Sequence, residues 1–261
     1  MGAKNLCSTR PEAPLCIAII GSGGKTTLMN RLAQACRGRV LLTATTHLAY
    51  PSAWQGKTVH PKQDYPGIFL PFADCASLAA DWSALGKETP VLTARLDEEG
   101  RHLLGLTPQE VDKLSTLPGL ERLIAEADGS KRLPVKAHRS DEPVLFSSCN
   151  LGIAVIGLTA VGRRVRAGEV HRPELLRQLL RCTEDHRLTP RDLAAALLAY
   201  LEKFSCSRRI AVLSQGEHCP PEYAKETEKA LLRLLNDYPG DWARRVLVAT
   251  AAEFPLSLED Y

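Results

Sequence analysis

The stretch Ile17–Gln34 reads IAIIGSGGKTTLMNRLAQ, and no other part of the chain limits its fold so tightly. An apolar run stops at Gly21, passes Ser22, Gly23 and Gly24, and resumes after Lys25-Thr26-Thr27 with the apolar spacing of a helix. A strand that ends in a glycine turn and feeds a helix leaves several backbone N–H groups facing one concavity, reinforced by the positive end of the helix dipole. Anions bind in such a place. Glycine is needed because side chains would block an approaching phosphate and because some positions require positive φ. Lys25, on an exposed loop, is expected to reach the β and γ phosphates of a nucleotide, and the Thr26 hydroxyl to ligate the Mg²⁺ that bridges them. Gly21, Ser22, Gly23, Gly24, Lys25, Thr26 and Thr27 are therefore the candidate nucleotide-binding residues.

Two better-known glycine loops do not fit. The dinucleotide pattern G-x-G-x-x-G would need glycine where Thr26 stands, and the long phosphate loop G-x-x-x-x-G-K-[ST] would need it at Ile19. What remains is G-x-x-G-K-T-T, a shorter P-loop that resembles the ATP loop of Mur-type ligases. The alternative is a glycine-rich turn that holds no ligand.

The rest of the chain alternates strand-like and helix-like runs. Residues 15–20, 39–45, 122–128, 151–157, 209–214 and 244–250 are too uniformly apolar for a sheet with one wet face, which predicts a mostly parallel sheet covered on both sides. Helical spacing marks 25–37, 173–182, 189–203 and 221–237, with Thr189 as cap and Pro190 in the first turn of the third. The expected fold is α/β, a three-layer P-loop NTPase-like architecture. It would comprise an N-terminal extension over 1–14 and a single domain over 15–261, with an irregular insertion around 51–120. That insertion holds two candidate hairpin strands, VLTARL and RHLLGL, either side of DEEG.

With 261 residues and 44% hydrophobic content, the chain can bury a substantial core. A formal net charge of +3 argues against nucleic acid or an anionic membrane as partner. No apolar stretch suits a signal peptide or a membrane span, so a cytoplasmic location is expected. Eight cysteines without a C-x-x-C pair point away from disulfides and structural zinc, toward buried thiols or surface thiols.

A metal-bridged phosphate needs acids, and RLIAEADGSKRLPVK supplies them. Glu126 and Asp128, two apart in a strand, would face the same side about 7 Å from one another and address one Mg²⁺. Lys131, Arg132 and Lys136 follow as a positive cluster. At the end of the second strand, TATTH offers Thr43, Thr45, Thr46 and His47, of which Thr45, Thr46 and His47 are candidate substrate contacts at the edge where such sheets hold ligands. Between Val161 and Arg191 stand eight arginines against four acids. Most suit a solvated helix face. His171 and Arg172, just before Pro173, lie outside the helix and are candidates to contact an anionic substrate.

The blocks GSGGKTT, TATTH, EADGSKRLPVKA, EPV and VHRPE, in this order, resemble the YqeC family of selenium-dependent hydroxylase accessory proteins, over roughly residues 15 to 250. The resemblance implies an ATP-dependent cytoplasmic maturation factor for selenium-containing molybdenum hydroxylases. Members of the family carry proline after KA and histidine directly before EPV. His138 and Asp141 stand there in this chain, and His138 is the candidate to replace that histidine. The expected protein binds ATP and Mg²⁺ and acts on an anionic molybdenum-cofactor or selenium intermediate, with a molybdenum hydroxylase or its maturation proteins as partners. Lys25 would stabilise transferring charge, Thr26, Glu126 and Asp128 would address the metal, and Glu126 would also orient water or a nucleophile. ATP is favoured over GTP because SQGE, not N-K-x-D, follows the strand at 209–214. A Mur-type ligase, whose further domain would have to follow residue 250, and a nucleotide-gated chaperone stay open.

Overall fold

Each uniformly apolar run becomes a strand of one sheet. The computed structural model describes residues 13–47, 67–85, 90–98, 103–238 and 246–250, together with Phe254 and Leu258. In chain order the elements are β1 (Leu15–Gly21), α1 (Lys25–Ala35), β2 (Arg39–Ala44), β3 (Ile68–Pro71), α2 (Cys75–Ala84), β4 (Val91–Leu96), β5 (Leu103–Leu104) and α3 (Pro108–Leu114). There follow β6 (Leu120–Glu126), β7 (Leu151–Gly157), α4 (Pro173–Leu180), α5 (Pro190–Leu201), β8 (Arg208–Ser214), α6 (Pro221–Asn236) and β9 (Val246–Thr250).

The strands lie in the order β3-β4-β2-β6-β1-β7-β8-β9, with β5 paired to β4. Every neighbouring pair on the main path is parallel, and β4 with β5 is antiparallel. Side chains alternate between two apolar layers. Cys16, Ala18 and Ile20 of β1 join one layer, and Ile17 and Ile19 join the other. Leu28, Met29 and Leu32 of α1 cover the Ile17 side, whereas Trp82 of α2, Leu114 of α3, Leu176 of α4, Leu197 of α5 and Leu231 of α6 pack on the opposite side. Burial on both faces is what made these strands read as apolar without alternation.

The cap at Thr189 forms as expected, with Thr189 and Asp192 in a reciprocal capping box and Pro190 at the first turn. VLTARL is β4, and among the described residues of RHLLGL Leu103–Leu104 pairs with it. Part of the segment read as irregular is regular: β3 and β4 extend the main sheet, and α2, capped by Asp74, covers it. No helix among the described residues is long and apolar enough to cross a membrane.

Candidate functional site

β1 stops because Gly21 adopts φ 97°, turning the chain away from the sheet. The Gly21 N–H donates to Asp128 Oδ2 at 2.7 Å, and the Ser22 N–H to the Val155 carbonyl at 2.9 Å. Gly23, at φ 85°, passes so close to β7 that a Cβ there would lie 2.6 Å from Gly157 Cα. No other residue fits. The Ser214 hydroxyl at the end of β8 sits between the carbonyls of Gly23 and Ile156 and donates to them, closing the loop from below.

Lys25, the first residue of α1, departs from the expected exposed position, since only 4% of its surface is accessible. Its Nζ donates to the Gly21 carbonyl at 2.8 Å and lies 3.1 Å from Asp128 Oδ1 and 3.3 Å from Glu126 Oε1. The Ser130 hydroxyl is 3.4 Å away. Two carboxylates draw the ammonium back across its own loop. Burial alone would disfavour the charged lysine, but Asp128 and Glu126 outweigh it and hold the pKa above the ordinary lysine value. Thr26 donates from Oγ1 to Glu126 Oε2 at 3.0 Å, while Thr27 is exposed.

Strand register brings the acids to the loop. β1 pairs with β6 so that Ile19 lies opposite Glu126, and the next bond, Ala127 N–H to the Ile19 carbonyl at 2.9 Å, leads Asp128 to Gly21. Asp128 therefore sits just past β6 rather than within it, yet on the same side as Glu126.

Around Asp128 the charges alternate. Its Oδ2 meets Lys136 Nζ at 3.3 Å and His138 Nε2 at 2.5 Å. Burial would raise the Asp128 pKa, but Lys25, the His138 hydrogen bond and Lys136 keep it far below the usual carboxylate range. Lys136 is fully buried and also donates to the Gly129 carbonyl at 2.7 Å and Glu142 Oε2 at 3.1 Å. Desolvation nevertheless leaves its pKa below the lysine norm. Glu142 accepts both guanidinium nitrogens of Arg172, whose fork also reaches the Ala137 carbonyl at 3.2 Å. Despite burial, Arg172 and Lys136 lower the Glu142 pKa to about 2. Three cations, Lys25, Lys136 and Arg172, thus face three anions, Glu126, Asp128 and Glu142.

Burial lowers the His138 pKa below the ordinary histidine value, outweighing its contact with Asp128. Its ring meets that of Tyr200 edge-on, with centroids 4.9 Å apart. The Tyr200 hydroxyl donates to the Lys136 carbonyl at 2.6 Å and accepts the Lys136 N–H at 3.1 Å, tying α5 to this segment. A cavity of about 460 Å³ opens beside His138 and Tyr200, lined also by Leu175, Leu179 and Ala199.

The remaining sequence candidates divide. Lys131 is exposed beside Ser130. Thr45 spends its hydroxyl on the Val144 carbonyl at 2.6 Å, the Thr46 hydroxyl is buried with no hydrogen-bond partner among the described residues, and His47 is exposed. Lys136 and Arg172, expected to face a substrate, turn inward to Asp128 and Glu142. The His171 backbone bonds to the Val135 carbonyl at 3.0 Å, and burial with the nearby Arg172 and Lys136 lowers its side-chain pKa to about 4. Sequence reading assigned no part to Ser130, Tyr200 or Ser214. Tyr200 was discoverable as the one hydroxyl in the apolar face of α5; the two serines carried no signal.

Among the described residues no three His, Cys, Asp or Glu side chains cluster as a metal site. The donor set at the loop is one hydroxyl and two carboxylates, all hard oxygen ligands, with Asp128 Oδ1 accepting no hydrogen bond of good geometry. Such a set suits a Mg²⁺ that keeps waters and phosphate oxygens as its other ligands.

Comparison with known proteins gives two findings. The family model described as YqeC protein matches residues 17–174. The uncharacterized protein YqeC of Escherichia coli (strain K12) is 31% identical over 197 residues, covering 70% of this chain and 68% of that protein. No solved structure matches.

Proposed function

The chain belongs to the YqeC family, and on that premise we propose that it is a Mg²⁺-dependent, ATP-binding protein of the P-loop NTPase type. It would serve as an accessory factor in the maturation of selenium-dependent molybdenum hydroxylases. One observation carries the nucleotide reading: Lys25, Thr26, Glu126 and Asp128 converge at the mouth of the Gly21–Gly24 turn, at the N-terminus of α1. A phosphate at that turn would meet backbone N–H groups and the helix dipole. Thr26, Glu126 and Asp128 would hold Mg²⁺, which would supply positive charge to offset that of the phosphates. Lys25 would exchange its carboxylate contacts for phosphate oxygens, and Glu126, released from Lys25, would orient water or a nucleophile.

The pathway reading rests on the family resemblance. An anionic second substrate, a molybdenum-cofactor or selenium species, would find exposed positive charge at Lys131 and Arg132, beside Ser130. His47, exposed just past the end of β2, is the other group that would address it. The inward-turned Lys136 and Arg172 suit support of Asp128 better than direct contact.

Titration calorimetry with Mg·ATP tests the nucleotide reading. The wild-type chain is expected to bind saturably, and Thr26→Ala to bind about tenfold more weakly, a loss of about 1.4 kcal/mol. Equal affinity in the two proteins, or no binding by either, would remove the reading. In cells, Thr26→Ala should leave a selenium-dependent molybdenum hydroxylase with normal molybdenum and deficient selenium, and spare a molybdenum hydroxylase that needs no selenium.

A further inference from the structure

Seven cysteines lie among the described residues, all as free thiols, while Cys7 lies outside them. Two occupy matched positions far from the glycine loop. β7 and β8 run parallel with Leu151 opposite Arg208, and Cys149 and Cys206 each lie two residues upstream of that pair. Each sulfur lies against the backbone in the same way: Cys149 Sγ 3.5 Å from the Leu151 carbonyl, and Cys206 Sγ 3.4 Å from the Arg208 carbonyl. Where the ladder starts, at Leu151 and Arg208, neighbouring strands run about 4.8 Å apart, within the Cα spacing of roughly 4.4–6.8 Å that a disulfide bridges, and just upstream the two thiols are close enough to hydrogen-bond to each other. Cys206 is partly accessible between exposed Ser205 and Ser207.

We propose that Cys149 and Cys206 form a redox-active dithiol site that reacts with low-molecular-weight disulfides, Cys206 as the attacking thiol and Cys149 as the resolving thiol.

The roles follow from the surroundings. The hydrogen bond from Cys149 and the charge of Arg209 outweigh burial and hold the Cys206 thiol below the usual cysteine range, while the Cys149 thiol is pushed far up. Cys16 is buried and raised to about 11, and burial raises Cys75, Cys182 and Cys219. At neutral pH a thiol held below the usual range is more ionised than one pushed above it, and the gain in thiolate exceeds the accompanying loss of intrinsic nucleophilicity.

With oxidised glutathione the Cys206 thiolate attacks one sulfur, the glutathione disulfide bond breaks, and the departing thiolate takes a proton from water. Cys149 then gives its proton to solvent and attacks Cys206 Sγ, releasing the second glutathione. Two protein thiols lose two electrons, and one small disulfide becomes two thiols.

The experiment exposes the folded full-length chain to oxidised glutathione at neutral pH and maps peptides by mass spectrometry over time. Wild type is expected to form a Cys149–Cys206 link that dithiothreitol reverses, with glutathione reaching Cys206 several-fold faster than Cys219, whose thiol burial raises. Cys149→Ser should stop at a stable glutathione adduct on Cys206. Equal rates at Cys206 and Cys219, or a wild-type adduct that persists on Cys206 without the link, would overturn the proposal. Both readouts come from the unmutated chain, so they stand even where a serine variant folds poorly.

Discussion

The Lys25 ammonium lies 3.1 Å from Asp128 Oδ1, so the first residue of α1 neutralises an acid carried just beyond the end of β6. Both groups are almost fully buried. Removing one partner of a buried pair leaves the other charged in a poor solvent, at a cost of about 3–5 kcal/mol. Lys136 and His138 still face Asp128, which reduces the loss. Lys25→Met is therefore expected to destabilise the chain by about 2–3 kcal/mol in urea unfolding, and Lys25→Met with Asp128→Asn to lose less than the two single changes together. Strict additivity would show that the two side chains do not interact.

Arg172 and Glu142 should behave as a unit of the fold. Arg172→Gln and Glu142→Gln each break the guanidinium fork, and each is expected to cost about 2–4 kcal/mol of stability. The double change should cost clearly less than the sum. Mg·ATP affinity of Arg172→Gln, measured by calorimetry well below its unfolding temperature, should stay within about twofold of wild type. A large drop in affinity would return Arg172 to the ligand site.

His171 gives the stability a signed pH dependence. Its pKa falls from 6.5 to about 4 on folding, so the unfolded chain binds the proton more readily. Stability present above pH 6.5 is lost as pH falls toward 4. Because the ring is partly exposed, the expected loss between pH 7.5 and pH 5 is about 1 kcal/mol rather than the full linkage value of about 2. His171→Asn should unfold with a shallower decline over that interval. Parallel curves for the two proteins would show that His171 does not titrate this way.

Tyr200→Phe removes one hydroxyl that serves both backbone groups of Lys136. The expected cost is about 1–3 kcal/mol, because a buried N–H and carbonyl lose their partner. Hydrogen exchange should report it locally, with the Lys136 amide losing protection more than amides of β7. Uniform change across the sheet would point to a general packing defect instead.

Strands β1, β2, β6, β7 and β8 were legible because burial on both faces leaves an unbroken apolar run, β9 was legible from its apolar sequence, and β3 was not, because a four-residue edge strand ending in Pro71 carries too little pattern. The short α3 escaped for a related reason, although Thr107 and Glu110 form a capping box there. At the site, local spacing sufficed to expect a glycine turn at Gly21–Gly24 and to place Glu126 and Asp128 on one side. It did not reveal that Lys136 and Arg172 turn inward. A cation in a basic cluster looks free until its acid is found, and the acid that takes both, Glu142, lies thirty residues from Arg172. Lys25 was read as exposed because nothing in a contiguous motif reveals that the first turn of α1 folds back onto β6.

β8 begins two residues after Cys206 and ends at Ser214, whose hydroxyl holds the Gly23 carbonyl. Seven extended residues span about 23 Å. Across that span a unit charge gained or lost at the sulfur end would be felt at the glycine turn by only about 0.7 kcal/mol at an effective dielectric of about 20. The strand is thus a spacer as much as a support, and what its two ends share most strongly is the mechanical stiffness of one strand.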